Sequence, residues 1–337
     1  MVTVLTEMTF ADSKTLEVAC SDFITLILTS LLDRYVPGNM SNKSSNPLNG
    51  YPKSTCMKFF RPHFKIGTMA GRQDRLFSKI GGIPWGFPKE RWPSCCGRPQ
   101  KLLAQLCHEP PKLDLGSPKA VLHLFQCLEC LGIGDNGRAV VLLNQSDLGQ
   151  GLVGVEVRGH KPELGNSQIG ELWLDRWEEL DDGIPSSRFD EFFDEESMWK
   201  LQDEFPQIDW FSGRERTKFG GTPRWTGNGP AFSTVPAPFE FLFQLDNRLF
   251  LNGLPPKPNE AGCVVVTNTP KPAGGYSQVY VRPDAGGTRE NAPWIVIYDH
   301  GSDHYYLEFT NFGSDGTAYV YIDRTRQPHE IRWLWSR

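Results

Sequence analysis

Hydrophobic and polar residues change over within short runs along most of this chain, and the sustained 3.6-residue period of a long helix is rare. The runs Leu102 to Leu106, Val121 to Phe125, Ala139 to Leu143, Val153 to Val157, Phe241 to Leu245, Val264 to Thr267 and Gln278 to Val281 are largely apolar and bounded by turn-forming or polar residues. So are Trp294 to Tyr298, Tyr305 to Phe309, Thr317 to Ile322 and Ile331 to Trp335, and each run predicts a strand. His300 to Asp303 and Gly313 to Gly316 read as hairpin turns. Two segments read as helix. In residues 10–35, Leu16, Ile24, Leu28, Leu31 and Leu32 share one face, and a Pro-, Gly-, Asn- and Ser-rich linker follows over 36–55. In the acidic segment 171–209, Phe189, Phe192, Phe193, Trp199 and Leu201 supply an apolar side. The expected fold class is β-rich α+β, built from short, mostly antiparallel strands with few helices.

A search for self-similarity gives the most specific signal. Ser78-Lys79-Ile80-Gly81-Gly82-Ile83-Pro84 recurs as Thr217-Lys218-Phe219-Gly220-Gly221-Thr222-Pro223. Carried on without a gap, the alignment pairs Pro99 with Pro238, Leu103 with Leu242, Gln105 with Gln244 and Leu106 with Leu245. That makes nine identities over the 29 positions from 78 to 106, where unrelated segments give about two. An internal duplication follows, with a Gly-Gly turn at positive φ in each copy and a strand carrying a Gln among apolar residues. The expected organisation is an N-terminal helical extension and linker over 1–56, a first half over 57–170, an acidic connecting segment over 171–210 and a second half over 211–337.

Composition narrows the class. With 39% hydrophobic and 22% charged residues the chain is neither disordered nor a coiled coil, and 33 Gly with 26 Pro favour turns and short strands. The net charge of −5 argues against nucleic-acid binding. It hides an asymmetry: residues 171–209 hold 14 acidic residues against Arg176, Arg188 and Lys200. Such a field steers a basic protein partner, and Asp190, Glu191, Asp194, Glu195 and Glu196 are the candidate contacts; a solvated linker or helix face is the alternative. The apolar run Phe23 to Leu32 has about half the length needed to cross a bilayer, and no basic signal-peptide region precedes it. Eight cysteines in so long a chain do not form a small disulfide framework. A cytoplasmic protein with reduced thiols is expected, bound neither to membrane nor to nucleic acid.

Several of these motifs carry a resemblance. The Ser78-to-Trp85 opening, Trp92-Pro93, the Leu102-to-Leu106 strand, the Thr217-to-Pro223 repeat with Phe243-Gln244-Leu245-Asp246, and the ending Tyr319-Val320-Tyr321-Ile322-Asp323 resemble the YwqG-like family, mainly bacterial proteins of unknown function. The likeness covers roughly residues 70–337 and implies a duplicated, β-rich fold without established catalytic residues. A weaker likeness is to the family of programmed cell death protein 2, dedicated chaperones for a ribosomal protein. It rests on the Ser-Lys-x-Gly-Gly opening, on Cys95-Cys96-Gly97-Arg98-Pro99 and on Phe125-Gln126-Cys127-Leu128-Glu129-Cys130.

Cys95, Cys96, Cys127 and Cys130 are therefore the candidate ligands of a structural zinc. Cys127 and Cys130 have ordinary zinc spacing, whereas Cys95 and Cys96 are adjacent, too close for a knuckle that turns both sulfurs inward. Cys107, His108 or His123 are substitutes that the spacing does not select, and a vestigial thiol cluster is the competing reading. Asp299, His300, Asp303 and His304 form a second candidate group, read as a polar hairpin ahead of a metal or acid/base site. Serine-hydrolase and zincin signatures are missing from the sequence. The primary functional expectation is a non-enzymatic protein-binding module, chaperone-like or neutralising toward a basic partner. The alternative is a hydrolase or transferase with a site between the halves, for which Lys79, Gln105, Lys218 and Gln244 are the candidate binding residues.

Overall fold

The strand-rich expectation holds. The computed structural model describes residues 56–66, 75–127, 129–130, 137–151, 153, 172–206, 208, 217–225, 238–251, 263–267, 277–283, 295–299, 305–308 and 316–336, with backbone alone for 66, 195, 250, 263–308 and 336. The predicted 10–35 helix, the 36–55 linker, the 300–303 and 313–316 turns, most of the 153–157 strand and the His300, Asp303, His304 group lie outside these residues.

Ten strands form one antiparallel sheet. In chain order they are β1 (Cys56–Ile66) and β2 (Lys79–Ile80), then, after the small hairpin β3 (Ser94–Cys95) and β4 (Arg98–Pro99), β5 (Lys101–Cys107), β6 (Ala120–Gln126), β7 (Arg138–Asn144) and β8 (Leu172–Pro185). β9 (Lys218–Gly220) and β10 (Phe239–Asp246) follow. β11 (Arg248–Phe250), β12 (Cys263–Thr267), β13 (Ser277–Pro283), β14 (Ile295–Asp299) and β15 (Tyr305–Glu308) make a separate five-stranded sheet. β16 (Thr317–Asp323) and β17 (Glu330–Ser336) return to the large one, whose order is β17-β16-β10-β9-β1-β8-β2-β5-β6-β7. Its two outer strands approach each other, with the Arg138 guanidinium of β7 lying 5.9 Å from the Trp333 ring of β17, so the sheet is nearly closed.

Alternation assigns the two faces. On the inner face, Ala104, Leu122, Leu124, Phe243, Leu245, Ala318, Val320 and Trp333 join one buried cluster. On the outer face of β5 to β7, Leu102, Phe125 and Leu143 pack with Phe87.

The acidic segment differs most from expectation. Residues 172–185, read as helix, form a central strand; only Glu195–Glu204 is an α-helix, α1, preceded by a 3-10 turn over Ser186–Phe193. The charges that suggested a solvated helix are paired across the ladder with the basic residues of β1: Lys58 with Asp181, Arg61 and His63 with Glu178, and Lys65 with Asp175. Opposite charges facing each other on neighbouring strands stabilise the pairing. β1 escaped sequence reading because Pro62 interrupts it; β9 reaches only Phe59 and Phe60, which leaves Pro62 outside that ladder.

Candidate metal centre

β3 and β4 are joined by Cys96 and Gly97, both at positive φ (51° and 70°). Two successive left-handed residues make the tight turn that matches the twist of a hairpin. Cys96 is the only non-glycine residue with positive φ among the described residues. That conformation removes the objection raised by adjacency. In an extended strand neighbouring side chains point to opposite faces, but a left-handed residue at a turn breaks the alternation and lets both sulfurs face one side.

The second pair comes from the end of β6, where Cys127 follows Gln126 and Cys130 lies in the bend beyond. All four sulfurs lie within 4.8 Å of one another. Cys95 Sγ is 3.7 Å from Cys96 Sγ and 3.7 Å from Cys130 Sγ, and the Cys127 thiol points to the Cys95 carbonyl at 4.0 Å. A tetrahedral ion with sulfur ligands at about 2.3 Å requires sulfurs about 3.8 Å apart. The four cysteines are thus spaced to hold one metal ion. Cys107, His108 and His123 do not join them: the Cys107 thiol is pushed up to about 11 by burial, His108 Nδ1 accepts from the Leu115 amide, and His123 is packed against Phe87.

As bare thiols the four resist ionisation. Burial, then contacts with Cys96, Cys130 and Cys127, push Cys95 up to about 12. At Cys96 the contact with Cys95 pulls down, but Cys127, desolvation and Cys130 outweigh it and leave the thiol raised. A divalent cation inverts that balance, since it stabilises every thiolate at once. Arg98, bridged to Glu129, ties the hairpin to the loop between Cys127 and Cys130, and a cavity of about 520 Å³ opens beside Cys95, Cys96, Gln100 and Arg138.

The residues of the two similar sequence stretches take matching hydrogen-bond positions, but each in its own turn. Gln105 Oε1 accepts from the Trp85 amide at 2.8 Å, and Gln244 Oε1 from the Arg224 amide at 2.7 Å. Ser78 Oγ accepts from the Cys107 amide and Thr217 Oγ1 from the Asp246 amide. Gly81, Gly82, Gly220 and Gly221 all have positive φ, and a Cβ on Gly221 would stand 2.3 Å from Asp182 Oδ2. Lys79, Gln105, Lys218 and Gln244 are each at most 1% exposed. Lys79 donates to the Ile83 carbonyl and Lys218 to Asp182. The four side chains named as candidate binding residues are therefore buried, and their hydrogen bonds brace the turns.

Sequence reading missed Asp182. Its carboxylate accepts from Lys218 Nζ (2.5 Å), the Thr222 amide (2.5 Å), Thr222 Oγ1 (2.9 Å) and Arg224 (3.3 Å). Burial alone would raise its pKa, but Lys218 and Arg224 outweigh burial and hold it below the carboxylate range. The only signal was the Lys of the repeat, whose partner is 36 residues away.

Of the five acidic candidates for a partner, Glu191 is bound to Arg188, Asp194 caps α1 through the Ser197 amide at 2.8 Å, and Glu196 pairs with Lys200. Asp190 is exposed, and of Glu195 only the backbone is described. No helix among the described residues is long and apolar enough to cross a membrane. No protein-family model matches the chain, and no curated protein matches it.

Proposed function

We propose that this chain is a non-enzymatic, cytosolic protein-binding module whose four-cysteine cluster holds one structural zinc ion. The observation that carries the reading is the 3.7 Å spacing of Cys95 from both Cys96 and Cys130 within a group of four sulfurs. Zinc suits four thiolates, and the ion would fasten a six-residue hairpin, which has little core of its own, to the end of β6. Zinc per chain, measured on protein purified without chelator beside Cys127→Ser, tests it. About one equivalent, lost in the variant, is expected; no zinc in either sample refutes it.

The duplication belongs to the same reading and gains support from the strand order. That order is palindromic about the central β1–β8 pair: β2 answers β9, β5 answers β10, β6 answers β16 and β7 answers β17. The leading strand of each half then lies against the turn of the other, since β1 pairs with β9 and β8 with β2. Two copies that exchanged their first strands give this arrangement, and it agrees with the likeness to the YwqG-like family.

The partner would be a basic protein segment, as the likeness to the chaperone family implies. Its contact surface is α1 and the turn before it, where Asp190 and Asp203 are exposed and Trp199, one helical turn before Asp203, is 45% exposed. Tryptophans are enriched among the residues that dominate binding energies. A pull-down at low and high salt with Asp190→Asn/Asp203→Asn/Trp199→Ala should lose a salt-sensitive interactor that the unaltered chain retains. An unchanged set of interactors rejects the surface. Deleting the whole acidic segment would be uninformative, because β8 is a central strand.

A further inference from the structure

The four cysteines differ in exposure. Cys127 is buried, Cys95 and Cys130 are half-buried, and Cys96 is exposed. The cavity beside the hairpin admits solvent to Cys95 and Cys96. Cys95 is the hub of the group, with the sulfurs of Cys96 and Cys130 both at 3.7 Å. A disulfide between Cys95 and Cys96 would close a small ring around their peptide bond, against the planar trans geometry of that bond. Cys127 is shielded and its thiol engages a backbone carbonyl. Cys95 and Cys130 remain: their sulfurs need to close by about 1.7 Å, and Cys130 lies in a bend outside any strand.

We propose that the cluster is an oxidation site at which a peroxide joins Cys95 to Cys130. The Cys95 sulfur attacks the peroxide O–O bond, taking one oxygen as a sulfenic acid while the other leaves as water. The Cys130 sulfur then attacks the Cys95 sulfur, the S–O bond breaks, and the second oxygen leaves as water. Two electrons pass from the two sulfurs to the peroxide, and two protons, from the thiols or from solvent where a metal held thiolates, complete the two waters. The disulfide needs no metal, but the metal-free cluster reaches it more slowly, because its thiols resist ionisation. Only the accompanying loss of a metal ion, which would be left with two of its four ligands, rests on the zinc reading above.

The test treats the full chain, zinc-loaded and chelator-stripped, with about one equivalent of hydrogen peroxide, then maps disulfides in non-reduced peptides and measures released zinc. A Cys95–Cys130 link is expected in both samples, with zinc released from the loaded one and both changes reversed by dithiothreitol. Cys130→Ser should abolish the link and leave Cys95 at the sulfenic acid, whereas Cys96→Ala should keep it. A different main disulfide, or overoxidised Cys95 in the unaltered chain, overturns the proposal. A Cys95–Cys130 link in protein that never held zinc upholds it and rejects the metal reading alone; zinc held without any link does the reverse.

Discussion

The two Gly-Gly turns share a hydrogen-bond scheme yet are filled by opposite chemistries. Around the second, Asp182, Lys218, Thr222 and Arg224 form a buried ionic network, Lys218 also lies 4.3 Å from the Phe59 ring, and the Tyr319 hydroxyl donates to the Arg224 carbonyl. Around the first, the position of Tyr319 is taken by His123, packed among Phe87 and Phe125, and the loop after the turn carries the cysteine hairpin. One turn is therefore held by charge satisfied within the sheet, the other by aromatic packing over an unsatisfied ring. A backbone scheme that needs only Gly-Gly, a hydroxyl and a Gln tolerates either filling.

Breaking the ionic side should cost most. Asp182→Ala leaves Lys218 and Arg224 buried without their shared carboxylate, and the loss should be about 3–5 kcal/mol in chemical denaturation. Lys218→Met should cost clearly less, because Arg224 still answers Asp182. Equal losses would show that the two cations do not share the carboxylate as the geometry implies.

Acid should attack the first turn earlier. Burial, and to a lesser extent the nearby Lys79, pull the His123 pKa down to about 3, although the Val141 backbone works the other way. Neither ring nitrogen makes a hydrogen bond of normal geometry. Between its unfolded value near 6.5 and about 3 the unfolded chain binds a proton that the folded chain refuses, so stability is full above pH 6.5 and falls as the pH drops. The loss approaches roughly 4 kcal/mol at the bottom of that window. His123→Phe should flatten the profile from pH 6.5 to 4. Asp182, depressed below the carboxylate range, contributes stability that disappears only at lower pH, as it is protonated. A profile unchanged by His123→Phe would mean the ring is hydrated in the folded protein.

A smaller loss is expected at the glycines. Gly221→Ala meets Asp182 Oδ2 at 2.3 Å and Phe59 Cβ at 2.9 Å in addition to its positive φ, whereas Gly97→Ala finds nothing within 4 Å. The first should cost more than about 2 kcal/mol and the second about 1 kcal/mol, the left-handed penalty alone. Thermal unfolding of the pair separates crowding from conformation.

Features carried by local pattern were legible in the sequence. The Gly-Gly turns, the Gln strands and eight further strands follow from turn chemistry and apolar alternation, which act over a few residues. What was missed depends on partners distant in the chain. β8 read as helix because the bases that neutralise it lie more than a hundred residues away in β1. Separation along the chain also hid Asp182, whose cationic partners Lys218 and Arg224 lie 36 and 42 residues on. The four-cysteine cluster was half legible: its residues were named, but the objection to Cys95 and Cys96 assumed extended backbone, and no residue type at position 96 announces a left-handed conformation.

That conformation supplies the last comparison, between two states of one residue. Cys96 carries a Cβ at φ 51°, where glycine is at ease, so with the metal absent it strains the hairpin by about 1 kcal/mol. Cys96→Gly should therefore stabilise the chelator-stripped protein slightly, less a few tenths for the added freedom of the unfolded chain. With zinc present the sign should reverse, because the variant surrenders one of four ligands and with it part of the binding free energy that counts toward folding. Unfolding curves of the two proteins, each with zinc and with chelator, give the four numbers. A variant less stable under both conditions would mean that Cys96 is held by packing. One more stable under both would remove it from the ligand set and leave the strain without a function.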